Sequence, residues 1–293
     1  MSRGPLTLLG VPIDSVGKSG GTELGPAALR ELLGRDGFED AGDTSRRIRG
    51  LERDSANGWL AFEDILEMTA EVRQRVATLI GEGRVPVVLG GCCTLVPGAL
   101  AGARDSLGEL GLAYFDGHLD LFTGQTSPTG EGADFPVAAA LGIAPDEHNE
   151  ALGETPVVPA ERIALIGARD REELDLIAPF PKGLGIGRIE YRDDLRHEDL
   201  DRVGRSLAAE LSDGGSRFWL HLDLDILDRD VFPATDYLMP DGLSMAELKA
   251  LLAPLASSPG LVGVDVTCFN PEKDPDGRCG EALAGLMRAV LET

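Results

Sequence analysis

Positive charge is scarce in this chain. Lysines and arginines number 27 against 50 aspartates and glutamates, a formal net charge of −23 over 293 residues. Lysine occurs only as Lys18, Lys182, Lys249 and Lys273. Such a surface repels nucleic-acid phosphates and anionic lipid alike, which excludes both as partners. Cysteine is nearly as sparse, at Cys92, Cys93, Cys268 and Cys279. Four thiols do not make a disulfide framework in so long a chain, and no Cys-x-x-Cys zinc spacing occurs, so a reducing cytoplasm is the expected compartment. No apolar run is long enough to span a bilayer, and Met1-Ser-Arg-Gly-Pro5 does not lead into the apolar core of a secretion signal. A soluble protein that stays where it is made is therefore expected. Also missing are a P-loop and a Gly-x-Ser-x-Gly elbow, and Gly183-Leu-Gly-Ile-Gly187 does not match a dinucleotide fingerprint.

What is present is a regular alternation of short apolar runs with helix-length amphipathic segments. Leu6–Leu9, Val85–Leu89, Leu112–Phe115, Arg162–Ile166, Phe218–Leu224 and Leu261–Val266 read as strands. Gly25–Arg30 opens a helix with Pro26 in its first turn, and Ile65–Ile80, Thr94–Ala103, Leu200–Leu211, Ser244–Ala256 and Gly280–Leu291 read as helices. The stretch Thr123–Glu154, rich in Gly, Pro and acid, is expected to form long loops around one short helix. Near-continuous apolar strands separated by helices imply an α/β fold with a parallel sheet covered on both faces. No repeat or linker divides the chain, so residues 1–293 are expected to form one domain.

Two acidic runs stand at strand ends. Asp116-Gly-His118-Leu-Asp120 follows Leu112–Phe115, and Asp223-Leu-Asp225 continues Phe218–Leu222. In extended chain, alternate residues point to one face, so each run aims its ligands at one spot. Ionised carboxylates beside apolar strands need compensation, and a divalent metal supplies it. Ligands of such sheets bind beyond the strand carboxyl ends, where Gly90-Gly-Cys-Cys-Thr94 also falls. Solvated loop acids are the bland alternative for either run alone. Both runs together make an oxygen-rich set suited to Mn²⁺ and large enough to bridge two ions.

These residues resemble a family, the ureohydrolases (arginase, agmatinase and relatives). That family carries a Gly-Gly-Asp-His-Ser motif, an Asp-Ala-His-x-Asp motif and a Ser-x-Asp-x-Asp-x-x-Asp-Pro motif, in this order. Here the matching segments are Gly90-Gly-Cys-Cys-Thr94, Asp116-Gly-His-Leu-Asp120 and His221-Leu-Asp-Leu-Asp-Ile-Leu-Asp228. Gly10-Val-Pro-Ile-Asp14 with Gly25–Arg30 is similar to the family's opening, and Gly263–Pro271 to its last strand. The resemblance implies a three-layer α/β/α fold with a mostly parallel sheet of about eight strands. It implies a binuclear Mn²⁺ centre bridged by Asp116 and Asp223, with Asp120 completing the coordination of the first ion and His118 and Asp225 that of the second ion. A metal-bridging hydroxide oriented by Asp120 would then attack a guanidinium carbon. It also implies a homo-oligomer, trimeric or hexameric, acting on a small molecule.

The chain departs from the family at three places. Cys93 stands where a ligand histidine is expected; it is either a ligand that favours Zn²⁺ or Fe²⁺ over Mn²⁺, or a small buried bystander. Cys268 stands where guanidinium-cleaving relatives carry a substrate-binding Glu. Ala133 stands where arginases place a histidine, with Thr129, Glu131 and Asp134 nearby as substrate-binding candidates. His221 alternates in phase with Asp223 and is expected to pack beside the site, whereas His148 and His197 are expected to be exposed. The leading expectation is a metal-dependent hydrolase of linear C–N bonds in guanidino or amidino compounds. One alternative is a deacetylase-like amidohydrolase with a mononuclear Zn²⁺ on Asp116, His118 and Asp225, although no His-His pair is present to serve as its base. Another is a catalytically silent relative that binds a small molecule or partner, and a thiol function of Cys93 and Cys268 is a third.

Overall fold

A computed structural model describes residues 4–16, 20–34, 37–171 and 183–292. Residues 1–3, part of the opening stretch read above, lie outside these, as do Lys18 and Lys182. Eight strands form one parallel sheet: β1 (Leu6–Val11), β2 (Glu39–Asp43), β3 (Val85–Gly90), β4 (Gly111–Phe115), β5 (Ile163–Ile166), β6 (Arg188–Glu190), β7 (Phe218–Asp223) and β8 (Leu261–Thr267), in the spatial order β2-β1-β3-β8-β7-β4-β5-β6. Among the described residues the helices are α1 (Gly25–Leu33), α2 (Phe62–Gly81), α3 (Val96–Leu107), α4 (Pro136–Ala140), α5 (Asp146–Leu152), α6 (Arg192–Leu195), α7 (Leu200–Leu211), α8 (Met245–Ala256) and α9 (Arg278–Leu291). None of the described helices is long and apolar enough to cross a membrane.

The period-two alternation of the strands sorts their side chains into two cores. Leu8, Val87, Ala113, Leu220 and Val264 pack with Leu29, Leu207, Leu251 and Leu283, so α1, α7, α8 and α9 cover one face. Leu9, Val88, Tyr114, Trp219 and Leu165 pack with Val72, Leu100 and Val137, so α2, α3 and α4 cover the other. This is the expected three-layer α/β/α arrangement. Local signals set the helix ends: Ser244 and Glu247 form a reciprocal capping box on α8, and the Asp199 side chain caps α7.

Several elements escaped the sequence reading. β2 is Glu-Asp-Ala-Gly-Asp, without one large apolar residue, and it exists because it pairs in parallel with β1. Arg30 ties it down at 3.2 Å from Asp40 and 2.5 Å from Asp43. β6 has only three residues, too few for any pattern. The stretch 123–154 holds two short helices, α4 and α5, rather than one.

One histidine expectation is corrected. His148 lies in a run of polar residues but on the inner side of α5, only 1% exposed, with Nε2 3.3 Å from Thr69 Oγ1 on α2. Its ring packs 5.0 Å from that of Trp59, which stacks on Phe135 at 4.2 Å. His197 is exposed as expected.

Candidate metal centre

The four central strands, β3, β8, β7 and β4, are neighbours in the sheet, and each ends in a residue of interest. β4 and β7 pair in register through Phe115 and Leu222, so Asp116 and Asp223 follow at one level. Asp223 in turn pairs with Thr267 on β8, directly before Cys268. Cys268 N–H donates to the Gly91 carbonyl at 2.8 Å, which brings the loop after β3, with Cys93, against the end of β8. Gly91 has to be glycine, because a Cβ there would lie 1.7 Å from the Ile13 carbonyl oxygen.

The side chains converge accordingly. Ligand-type atoms of Asp116, His118 and Asp120 lie within 4.8 Å of one another, as do those of Asp116, His221 and Asp223, and those of Cys93, Asp223 and Cys268. Asp116 and Asp223 are each shared between two groups, so the three join into one cluster. Asp225 belongs to it through His118, whose Nδ1 is 3.0 Å from Asp225 Oδ2 and 3.5 Å from Asp116 Oδ1.

Backbone donors fix the carboxylates. His118 N–H donates to Asp116 Oδ1 at 2.7 Å, Gly117 N–H to Asp225 Oδ1 at 3.0 Å and Asp225 N–H to Asp223 Oδ1 at 2.9 Å. Thr267 Oγ1 donates to Asp223 Oδ2 at 2.9 Å. Asp120 is held in the left-handed region at φ 49°, with its carbonyl accepting from Val137 and Ala138 at the start of α4 and its carboxylate from the Tyr114 hydroxyl.

The charge balance explains what such a site needs. Asp116, Asp120, Asp223 and Asp225 are all buried. Burial, and then the neighbouring Asp116, push the Asp120 carboxyl well above the usual range; burial, Asp225 and Asp116 do the same to Asp223. Burial also opposes ionisation of Asp116, yet His118 and His221 beside it hold it below that range. The site therefore carries more acid than its own cations offset. His221 Nε2 makes no hydrogen bond and faces Asp116 Oδ2 at 3.6 Å as its ion-pair partner. An excess of buried oxygen ligands fits divalent cations.

The substrate-side candidates are placed differently from one another. Cys268 and Asp134 line the cleft, with Phe122, Ala133 and Tyr237. The Asp134 carboxylate accepts from Ser127 Oγ and, at 2.6 Å, from Thr129 Oγ1, so Thr129 stands behind Asp134 rather than on the cleft wall. Glu131 is 3% exposed and accepts from the Tyr237 hydroxyl. Cys93 lines the cleft, and its Sγ donates to the Ala133 carbonyl at 3.4 Å.

His221 packs beside the site as its alternation predicted, but sequence reasoning missed what supports it. His221 stacks on Tyr114 at 4.2 Å and shares a short 2.5 Å contact from Nδ1 to Asp265 Oδ2 on β8. Trp219 Nε1 donates to the other oxygen of Asp265 at 2.5 Å. Burial alone would lower the His221 pKa, but Asp265 and Asp116 push it up to about 10. The available signal was Asp265 itself, a carboxylate inside an apolar strand.

A profile of the Arginase family matches residues 5–292. The chain belongs to that family. It is 30% identical to an arginase of Brevibacillus brevis, over 98% of this chain and 97% of that one. Its fold superposes on native arginase from Bacillus caldovelox with a TM-score of 0.89, at 27% identity and 99% coverage of each chain. It is also similar in fold to a formimidoylglutamase from Bacillus subtilis, with a TM-score of 0.76 at 17% identity, over 100% of this chain and 87% of that one. The family brings with it a divalent metal, and the cluster supplies candidate ligand groups for one.

Proposed function

We propose that the chain is a metal-dependent hydrolase of linear amidine C–N bonds, in a small guanidino or amidino compound. The observation that carries this reading is the convergence of Asp116, His118, Asp120, Asp223 and Asp225 at the carboxyl ends of two adjacent parallel strands. The arginase names of its relatives support the guanidino class. Asp116 and Asp223 would bridge two ions, with Asp120 on the first and His118 with Asp225 on the second. The oxygen and imidazole set of the second suits Mn²⁺. When bound, the pair supplies Lewis acidity and lowers the pKa of water toward neutrality.

The rest falls to the chain itself. Asp120, anchored by the Tyr114 hydroxyl, orients the attacking water. His221, pinned by Asp265, holds Asp116 in place. Asp134, held by Ser127 and Thr129, would face the cationic end of the substrate, and Glu131 would act through the Tyr237 hydroxyl beside it. Val16, Phe122 and Ala133 add an apolar surface to the cleft. By family analogy the working form is a homo-oligomer, a trimer or hexamer, in the cytoplasm; light scattering on the purified protein measures the assembly.

The test joins metal content to turnover. Wild-type protein should bind divalent metal and hydrolyse at least one member of a guanidino and amidino panel, with loss on chelation and return on adding metal. Alanine at both Asp116 and Asp223 should abolish metal binding; unchanged content would refute the assignment. Metal binding without turnover on the panel would favour the silent-relative alternative. A single Zn²⁺ with turnover of N-acyl compounds alone would favour the deacetylase-like one.

A further inference from the structure

We propose that Cys93, Cys268 and Asp223 form a thiolate-rich cation site selective for a soft divalent ion such as Zn²⁺, in which Cys268 is a metal ligand and not part of the substrate pocket. This rests on reading the cleft as a metal centre and adds to it the ligands and character of one ion.

Four observations support it. First, the two sulfurs and a carboxylate oxygen of Asp223 lie within 4.8 Å of one another. A tetrahedral Zn²⁺ with Zn–S bonds of about 2.3 Å sets two sulfurs about 3.8 Å apart, so side-chain adjustment suffices to close on an ion. Second, the thiols come from separate loops that the backbone forces together, through the hydrogen bond from Cys268 N–H to the carbonyl of Gly91.

Third, Cys268 is held at φ 68°, a left-handed conformation that residues other than glycine rarely adopt. Strain of this kind concentrates where side-chain direction matters. Fourth, the adjacent cysteines divide: Cys92 Sγ lies 3.3 Å from both Ser15 Oγ and Thr94 Oγ1, away from the cleft, while Cys93 and Cys268 line it. Only the pair that faces Asp223 is available to a cation.

Asp223 then links two unlike sites. On one side stand two sulfurs; on the other stands Asp116, with His118 and Asp225 beyond. Sulfur selects Zn²⁺, and carboxylate with imidazole accepts Mn²⁺, so the two ions would differ in kind. Each ion entering the sulfur site expels the two thiol protons to the buffer. A position that would otherwise pair with a guanidinium is thereby committed to metal.

The experiment is an anaerobic titration of reduced, metal-free, full-length protein with Co²⁺, read by sulfur-to-cobalt charge-transfer absorption in the near ultraviolet. The bands should grow to saturation at a single ion per chain and be displaced by Zn²⁺ but not by Mn²⁺. Cys93→Ser and Cys268→Ser should each weaken them strongly and the double variant should abolish them, while Cys92→Ser and Cys279→Ser leave them unchanged. Should a serine variant fail to fold, thiol alkylation of the wild type decides instead, with Zn²⁺ protecting Cys93 and Cys268 and leaving the reactivity of Cys279 unaltered. Co²⁺ binding without charge-transfer bands, or bands insensitive to Cys268→Ser, overturns the proposal and leaves the metal centre standing. Absence of any bound ion overturns the metal centre, and this site with it.

Discussion

Acid should weaken this fold through His148, and the size of the effect follows from its burial. The ring is 1% exposed, packed on Trp59, with Nδ1 lacking any hydrogen-bond partner. Burial lowers its pKa from 6.5 to about 4. The sign follows from which state takes the proton. Between pH 6.5 and 4 the unfolded chain protonates His148 and the folded chain does not, so stability is full above 6.5 and falls as pH drops through this window. The shift, at about 1.4 kcal/mol per pH unit, amounts to roughly 3 kcal/mol by pH 4. The measurement is urea unfolding of wild type and His148→Leu from pH 7.5 to 4. The distant carboxylates titrate alike in both proteins, so the difference between the two isolates His148. The variant should gain about 3 kcal/mol relative to wild type between pH 7 and 4. Parallel curves would refute the reasoning, since they would mean that the folded protein accommodates the imidazolium. The site should sense the same event, because Trp59 also stacks on Phe135, next to Asp134.

Three other outcomes can be checked. Asp265→Asn removes the carboxylate that pins His221, and should lower metal affinity or turnover by about 10–100-fold, with a histidine resonance that titrates at lower pH than in wild type. Gly263→Ala places a Cβ 2.1 Å from the Trp219 ring, which must then move from Asp265; a loss of about 1–3 kcal/mol by chemical denaturation is expected. Tyr237→Phe strips the buried Glu131 carboxylate of its hydroxyl donor, and should change KM for a cationic substrate more than metal content.

Much of the architecture was legible because it is written in local periodicity. Six of the strands and the long helices announce themselves by apolar spacing, and the helix from 200 to 211 falls where its pattern places it. The acidic runs were legible for the same reason, since alternate residues of an extended segment share a face whatever surrounds them. Elements that draw their stability from a neighbour were not. β2 has no apolar face of its own, β6 is three residues long, and His148 looks exposed until α2 is placed against α5.

The sequence alone determined which side chains could hold a cation, and that they stand at strand ends, because residue type and period are properties of a short segment. Tertiary structure alone decided which of them meet. The order β3-β8-β7-β4 brings Cys93, Cys268, Asp223 and Asp116 to one edge from segments as far apart as residues 93 and 268. It also put Asp265 under His221 and turned Cys92 from the cleft while Cys93 faces it. Sheet order is a matter of long-range pairing, and no local pattern carries it.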